Sequence, residues 1–247
     1  MILKDMIRGL QDLHKADIIH QDYHSGNIFS KEIEGNYDIS AITGDFGISK
    51  SAIESSDNGN EVYGIIPYVA PEVLQGQKYT KASDIYGFGM IMWELMTGRR
   101  PFWYESHDTE LIIEICDGVR PPIVTNAPEG YIELMQKCWH PDPNERPNAN
   151  DISLKFKYEL HYRNEENNPT KIIRSSDIGP ITTNNPGAIY KSRPLSAMIK
   201  SAKFTKSLKS HCIIPDLGNK FILSYLFNLL YHINLCELFF LIRQKKI

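Results

Sequence analysis

The stretch HQDYHSGN at residues 20–27 is the most informative part of this sequence, and DFG at 45–47 and APE at 70–72 follow it. Taken alone, the pattern H-x-D-x-x-x-x-N is weak, because residue types used at about 5% each place it by chance in a few per cent of chains of this length. The ordered set is specific. It continues with DIYGFG at 84–89, CW at 138–139 and RP at 146–147, which chance does not explain.

The spacing of apolar residues predicts a mainly helical fold with a few short strands. From Leu3 to Leu13, apolar residues recur every three or four positions, which is typical of one buried helix face. Thr80 can cap a helix that runs to Met96 and stops before Gly98. Because this helix is apolar on nearly every side, it belongs in the middle of a domain. Further helices are predicted at 108–117, 131–139 and 150–162, and short extended pieces at 17–19, 27–29 and 37–42.

The ordered motifs resemble the C-terminal lobe of the eukaryotic protein kinase family, over residues 1 to about 162. PYVAPE at 67–72 and the CW and RP pairs look most like tyrosine-kinase-like serine/threonine kinases. The resemblance implies a protein-kinase-like large lobe in residues 1–163, mainly α with short β hairpins, and therefore an incomplete kinase fold. It also implies a phosphotransferase that uses ATP and Mg²⁺ and acts on serine or threonine, less often tyrosine, of a protein substrate or signalling partner.

The same resemblance assigns roles around a metal–phosphate site. Asp22 matches the catalytic-loop aspartate, which orients the substrate hydroxyl and accepts its proton. Asn27 and Asp45 match the residues that hold Mg²⁺ against the phosphates, since hard cations prefer oxygen ligands. Phe46 is expected to pack inward, and Gly47 to permit the backbone turn that aims Asp45.

Four other matched residues are expected to be structural. His20 is expected to pack beneath the metal-binding loop. Asp84, near the start of the apolar helix, is expected to accept hydrogen bonds from the backbone of the catalytic loop. Glu72 and Arg146 are expected to form a buried, bidentate ion pair that anchors the end of the activation segment.

Several departures from the kinase pattern weaken the expected activity. His20 and Asp22 occur within the first two dozen residues, and no G-x-G-x-x-G is present, so the lobe that clamps ATP is expected to be absent and the chain inactive or very weak. Gln21 replaces the arginine that pairs with a phosphorylated activation loop, His24 replaces a lysine near the transferring phosphate, and Ile65 replaces a threonine that touches the catalytic aspartate.

Two other functions stay open at this point. One is a non-catalytic pseudokinase or interaction module, and the other is a tail-anchored scaffold.

Residues 48–62 form a polar surface loop that offers phosphorylation sites, although a solvated loop has the same composition. The candidates in this loop and directly after it are Ser49, Ser51, Ser55, Ser56 and Tyr63.

Charge divides the chain into an acidic body and a basic C-terminal part. The formal net charge is −3, which gives no argument for nucleic acid, while residues 165–247 carry 12 Lys/Arg against 5 Asp/Glu. Residues 164–220 are expected to be a flexible basic linker, and 221–247 an apolar segment with a basic end. As a helix, 221–242 would be about 33 Å long, enough for a membrane anchor, although a surface-docked helix or a wrongly predicted gene end fits equally. The four cysteines form no C-x-x-C pair and no disulfide-dense pattern, which favours the cytoplasm as the location. The alternative is a tail-anchored location on an intracellular membrane.

Overall fold

A computed structural model of the chain describes residues 2–32, 39–51, 61–123, 130–158 and 185–211. Within these ranges the predicted class, mainly α with short antiparallel β pairs, is confirmed. The helices are α1 (Ile2–Lys15), α2 (Pro71–Leu74), α3 (Lys81–Thr97), α4 (Thr109–Cys116), α5 (Tyr131–Cys138), α6 (Ala149–Tyr158) and α7 (Ser196–His211). The strands are β1 (Ile18–Ile19), β2 (Ile28–Glu32), β3 (Ile39–Thr43), β4 (Lys50–Ser51), β5 (Tyr63–Gly64) and β6 (Arg193–Pro194).

Helix α3 lies at the centre of the core, as its sequence predicts. Every residue from Ser83 to Trp93 is buried. Thr80 begins the helix through a capping box, in which its hydroxyl accepts the Ser83 N–H and the Ser83 hydroxyl accepts the Thr80 N–H. Gly98 ends it in the left-handed conformation at φ 67°. Both ends are therefore fixed by local sequence, and the helix supplies a rigid support for the loops packed on it.

The strands pair in three separate two-stranded antiparallel sheets. In the β2–β3 pair, Ile28 lies opposite Thr43, which brings the end of the HQDYHSGN motif to the beginning of the DFG motif. Strand β1 pairs with β4, so the residues just before that motif also contact the polar loop. Helix α1 packs its apolar stripe, including Met6, against β3 and α6.

The third sheet includes residues 193–194, which lie beyond the predicted domain boundary at residue 163 and within the predicted linker at 164–220. Strand β6 pairs with β5, and the compact unit extends to Lys206. The sequence pattern did not indicate this strand and helix because the polar composition hides a sparse apolar spacing and because many of the hydrogen bonds use backbone groups of the body. The buried residues are Leu195, Ile199 and Ala202.

The apolar segment at 221–247 lies outside the described residues, as do residues 164–184 and 212–220 of the predicted linker. Among the helices that the structure does describe, none combines the length and the apolar character needed to cross a bilayer. The predicted membrane anchor therefore stays a prediction.

Gly87 gives a direct test of how α3 supports the catalytic loop. A methyl group at this position would collide with the carbonyl oxygen of Tyr23. Although alanine favours helix by about 1 kcal/mol over glycine, we expect Gly87→Ala to lower the free energy of unfolding by about 1–3 kcal/mol, because the clash is with backbone. Urea unfolding followed by circular dichroism measures the change. Leu95→Ala, at an exposed position of the same helix, is the control and should change stability less; an equal or smaller effect of Gly87→Ala would contradict the close packing.

Candidate active site

The Asp22 backbone and the Asn27 side chain are joined by a hydrogen bond inside one loop. Asn27 ends a short 3₁₀ turn, Ser25–Asn27, and its side-chain N–H donates to the carbonyl oxygen of Asp22 at 2.8 Å. Asn27 is buried, so this bond fixes its amide orientation. The amide oxygen of Asn27 is thereby left available as an acceptor or a cation ligand.

The DFG motif is brought to the same place by the β2–β3 pair. The N–H of Gly44, which precedes Asp45, donates to the carbonyl oxygen of Asn27 at 2.9 Å. His20 bridges the two loops, because its Nε2 atom lies 3.1 Å from the Gly44 carbonyl oxygen and its Nδ1 atom accepts the Asp22 N–H at 3.4 Å. Asp22, Asn27 and His20 therefore belong to one hydrogen-bonded network, which includes Gly44 next to Asp45, and His20 is buried within it.

The Asp84 carboxylate accepts hydrogen bonds from the backbone of the loop that contains His20 and Asp22. This is the contact that the family resemblance implies for Asp84. Its two carboxylate oxygens accept the N–H groups of His20 at 2.9 Å and Gln21 at 3.0 Å. His14 of α1 adds a third contact, with Nε2 3.0 Å from the same carboxylate. Gln21 has a left-handed backbone at φ 69°, a conformation that costs free energy in residues other than glycine. The buried carboxylate stabilises this strained residue directly.

The Asp22 carboxylate lies close to a histidine and a half-buried tyrosine. The Nε2 atom of His24 lies 3.3 Å from Asp22 Oδ1 without meeting the angular requirements of a hydrogen bond. Because His24 Nδ1 accepts the Gly26 N–H, the neutral ring carries its proton on Nε2, on the Asp22 side. Burial raises the pKa of Tyr79 well above its ordinary value, and the negative charge of Asp22 raises it further. Tyr79 instead donates its hydroxyl to the carbonyl oxygen of Tyr63 at 2.6 Å.

The DFG motif differs from expectation at two of its three residues. Phe46 does not pack inward: it is 48% exposed, and its recorded ring contact is with His20 at 5.5 Å between centroids. Asp45 itself has the left-handed backbone, at φ 57°, whereas Gly47 does not. The turn therefore depends on the tolerance of aspartate for this conformation rather than on glycine. Phe29 and Ile42, paired across β2 and β3, are exposed close by, so this side of the site presents apolar surface.

Glu72 and Arg146 form the expected buried pair. The two guanidinium nitrogens donate to the two carboxylate oxygens at 2.7 Å each. Arg146 also donates to the carbonyl oxygens of Ala82 and His140, and it lies over the ring of Tyr86. Every strong donor is therefore satisfied, which is the condition under which a buried ion pair is tolerated. The pair ties the APE motif to the RP motif and to the beginning of α3.

The acceptors at the site suit a magnesium ion that is shared with phosphate. Carboxylate and amide oxygens are the ligands that Mg²⁺ prefers, and it usually keeps ligands from phosphate or water. In the described part of the chain there is no group of three or more His, Cys, Asp or Glu residues arranged to hold a metal. Asn27 and Asp45 therefore offer two oxygen ligands to an ion whose other ligands would come from phosphate or water.

The predicted phosphorylation candidates are dispersed. The Ser49 hydroxyl donates to the His20 carbonyl oxygen at 3.2 Å, Ser51 lies in β4, and Tyr63 lies in β5. Ser55 and Ser56 lie outside the described residues. Ile65 is buried and apolar, so it offers no hydroxyl to Asp22.

Sequence reading missed two residues at this site, His14 and Tyr79. His14 follows Leu10 by four positions and Ile7 by seven, so the helical stripe of α1 contained the signal. Tyr79 lies in a loop before Thr80, and no periodic pattern marks it.

The fold and this site together define the larger lobe of a protein kinase domain. The sequence model of the family described as protein tyrosine and serine/threonine kinase matches residues 1–156, and the chain belongs to that family.

Similar proteins include serine/threonine kinases of Dictyostelium discoideum. A protein named as a probable serine/threonine-protein kinase is 37% identical over 150 residues, which cover 60% of this chain and 9% of that protein. The kinase roco8 is 36% identical over 158 residues, covering 61% of this chain and 8% of roco8. Cyclic GMP-binding protein C is 36% identical over 160 residues, covering 61% and 6%. The chain thus spans less than a tenth of the length of these relatives.

The Glu72–Arg146 pair leads to a stability prediction. We expect Glu72→Ala to lower the free energy of unfolding by about 3–5 kcal/mol, because it leaves the Arg146 charge buried and unpaired. Thermal or urea unfolding measures the loss. The control is Glu133→Ala, which removes an exposed pair with Lys137 and should change little.

The double variant Glu72→Ala, Arg146→Ala measures the interaction between the two residues apart from their contacts with other groups. It should lose less stability than the sum of the two single variants, because no charge is left unpaired. Strict additivity would contradict the assigned pairing.

Proposed function

We propose that the chain forms the catalytic half of a serine/threonine protein kinase that transfers the γ-phosphoryl group of ATP to protein hydroxyls. The observation that carries the proposal is the hydrogen-bonded network of Asp22, Asn27 and Gly44, which places Asp45, the residue after Gly44, beside the other two. Phosphoryl transfer needs little covalent help from a protein, and positioning with charge neutralisation supplies most of the acceleration. These three residues provide an aligned base and oxygen ligands in one place.

Asp22 is proposed to orient the attacking hydroxyl and to accept its proton. His24 approaches Oδ1 of Asp22, so Oδ2 is the oxygen left to face a substrate. Gln21, held in its left-handed conformation by Asp84, fixes the backbone immediately before Asp22. The carboxylate is therefore presented by a loop that is rigid on both sides.

Asn27 and Asp45 are proposed to hold Mg²⁺ through the Asn27 amide oxygen and the Asp45 carboxylate. A bound Mg²⁺ neutralises charge on the phosphate oxygens during transfer. Asp45 is exposed at the end of a tight turn, where a nucleotide can reach it, whereas Asn27 is buried and fixed. The ligand pair thus combines one rigid group with one accessible group.

A second candidate is a non-catalytic interaction module. Ile65 at the position of a hydrogen-bonding threonine, and Gln21 at the position of an arginine, favour it, because the first removes a hydroxyl and the second a positive charge near Asp22. We propose the cytoplasm as the location for either function, supported by Cys116 and Cys138, which are both free thiols.

The two candidates are separated by supplying the nucleotide-clamping lobe. We expect the chain alone to show negligible ATP-dependent peptide phosphorylation, and a fusion to the N-terminal lobe of the 37% identical relative to show measurable transfer. In that fusion, Asp22→Asn should lower kcat by about 10²–10⁴-fold, since it removes the base while keeping the shape. Radiolabelled phosphate incorporation measures the rate.

Asp12→Asn, an exposed acid on α1, is the control and should retain the rate. A folded fusion without any transfer would favour the interaction module. Transfer that survives Asp22→Asn would contradict the assigned base.

A further inference from the structure

Residues 185–206 contact the body of the domain in the way that a bound peptide contacts its receptor. The backbone of Leu195 donates to the carbonyl oxygen of Val62 at 2.7 Å, and the Ser196 hydroxyl accepts the Val62 N–H at 2.9 Å. Directly before these residues, Arg193 and Pro194 pair with Gly64 and Tyr63 as β6. A strand added to a sheet edge gains affinity from such main-chain bonds, while its alternate side chains supply specificity.

The helix that follows presents a second recognition pattern. Leu195, Ile199 and Ala202 are buried at spacings of four and three residues, whereas Phe204 of the same helix is 65% exposed. Anchors at these spacings are typical of an amphipathic helix lying in a groove. The buried residues belong to the same apolar cluster as the core of the domain.

Polar contacts on either side complete the binding of the segment. The Ile189 carbonyl oxygen lies 3.0 Å from Nδ1 of His107, and the Arg193 guanidinium donates to the carbonyl oxygen of His107. The Tyr190 hydroxyl donates to the Pro101 carbonyl oxygen at 2.8 Å. At the far end, Lys206 pairs with Asp117.

Charge also favours this arrangement. Residues 185–206 contain five Lys or Arg and no Asp or Glu, whereas residues 1–164 contain 15 Lys or Arg against 25 Asp or Glu. A basic segment is thus bound to an acidic body. Opposite net charge increases the rate of encounter between such partners.

We propose that the β5 edge and the adjoining groove form a peptide-recognition site, and that residues 185–206 occupy it as an internal ligand. The site takes basic segments of the pattern Arg-Pro-Leu-Ser, with Leu195 as the buried anchor followed by apolar residues four and seven positions later. A protein that carries this pattern competes with the internal segment.

The site lies next to Asp22. A Cβ atom on Gly64, the residue paired with Arg193, would be 3.8 Å from Asp22 Oδ1. The bound segment therefore covers an edge that borders the proposed base. This relation to catalysis rests on the proposed function, whereas the binding site itself does not.

The first experiment asks whether the segment is a ligand or an integral part of the fold. A protease cleavage site is placed within residues 164–184 of the full chain, and the chain is cut under native conditions. We expect the 185–247 piece to stay bound during size-exclusion chromatography and to be released by excess synthetic peptide 185–206. The Leu195→Asp peptide should release the piece at least tenfold less effectively than the wild-type peptide does. The matched Phe204→Asp peptide should release it as effectively as the wild-type peptide.

Two results would overturn the proposal. One is that the 185–247 piece is released only when circular dichroism shows that the body unfolds. The segment would then be part of the core. The other is equal release by the Leu195→Asp and wild-type peptides, which would exclude the groove as the binding site.

A second experiment uses the uncut chain and fluorescence polarisation of labelled peptide 185–206. The Leu195→Asp chain should bind the peptide at least tenfold more tightly than the wild-type chain, because its own segment no longer occupies the site. The Phe204→Asp chain should match the wild type. Equal binding to all three folded chains would contradict the proposal, and neither experiment depends on phosphoryl transfer.

Discussion

The carboxylate of Asp84 is the constraint on which the rest of the site depends. It accepts the N–H groups of His20 and Gln21 and contacts His14, all within the buried interior. These contacts keep Gln21 in a left-handed conformation that its side chain does not favour. Asp22 follows directly, so the direction of its carboxylate is set by a charge on a different helix. A buried charge is costly, and here its hydrogen bonds offset that cost while fixing the loop.

The position of Asp84 is fixed in turn by the way α3 is anchored. Thr80 begins the helix four residues before Asp84, and the Glu72–Arg146 pair binds the preceding segment to the Ala82 carbonyl oxygen. Gly87, one turn further on, allows the backbone of Tyr23 to approach the helix closely. The helix therefore contacts the catalytic loop at two points, through hydrogen bonds to His20 and Gln21 and through close packing against Tyr23. A substitution that alters any of these contacts would therefore affect the position of Asp22, although the substituted residue does not contact Asp22.

The C-terminal segment places a second set of interactions beside the same loop. Its β-strand pairing ends at Gly64, which adjoins Asp22, and its helix covers apolar residues that would otherwise meet water. Unlike the core, the segment is held largely by backbone atoms of the body and by three apolar anchors. Bonds of this kind can be replaced by another peptide with the same pattern, because the backbone groups they use are common to all sequences.

The sequence by itself determined the motifs, the family they resemble and the ends of α3, because each depends on local spacing, while the pairing of Glu72 with Arg146 was implied by that resemblance. The meeting of Asp22, Asn27 and Asp45 could be expected from that resemblance, although their hydrogen bonds could not. Only the tertiary structure decided that Asp45 rather than Gly47 has the left-handed backbone, that Phe46 is half exposed, and that His14 and Tyr79 adjoin the site. It also decided that residues 185–206 are bound to the body. These features depend on contacts between residues distant in the chain and on backbone hydrogen bonds, which carry no signature in side-chain pattern.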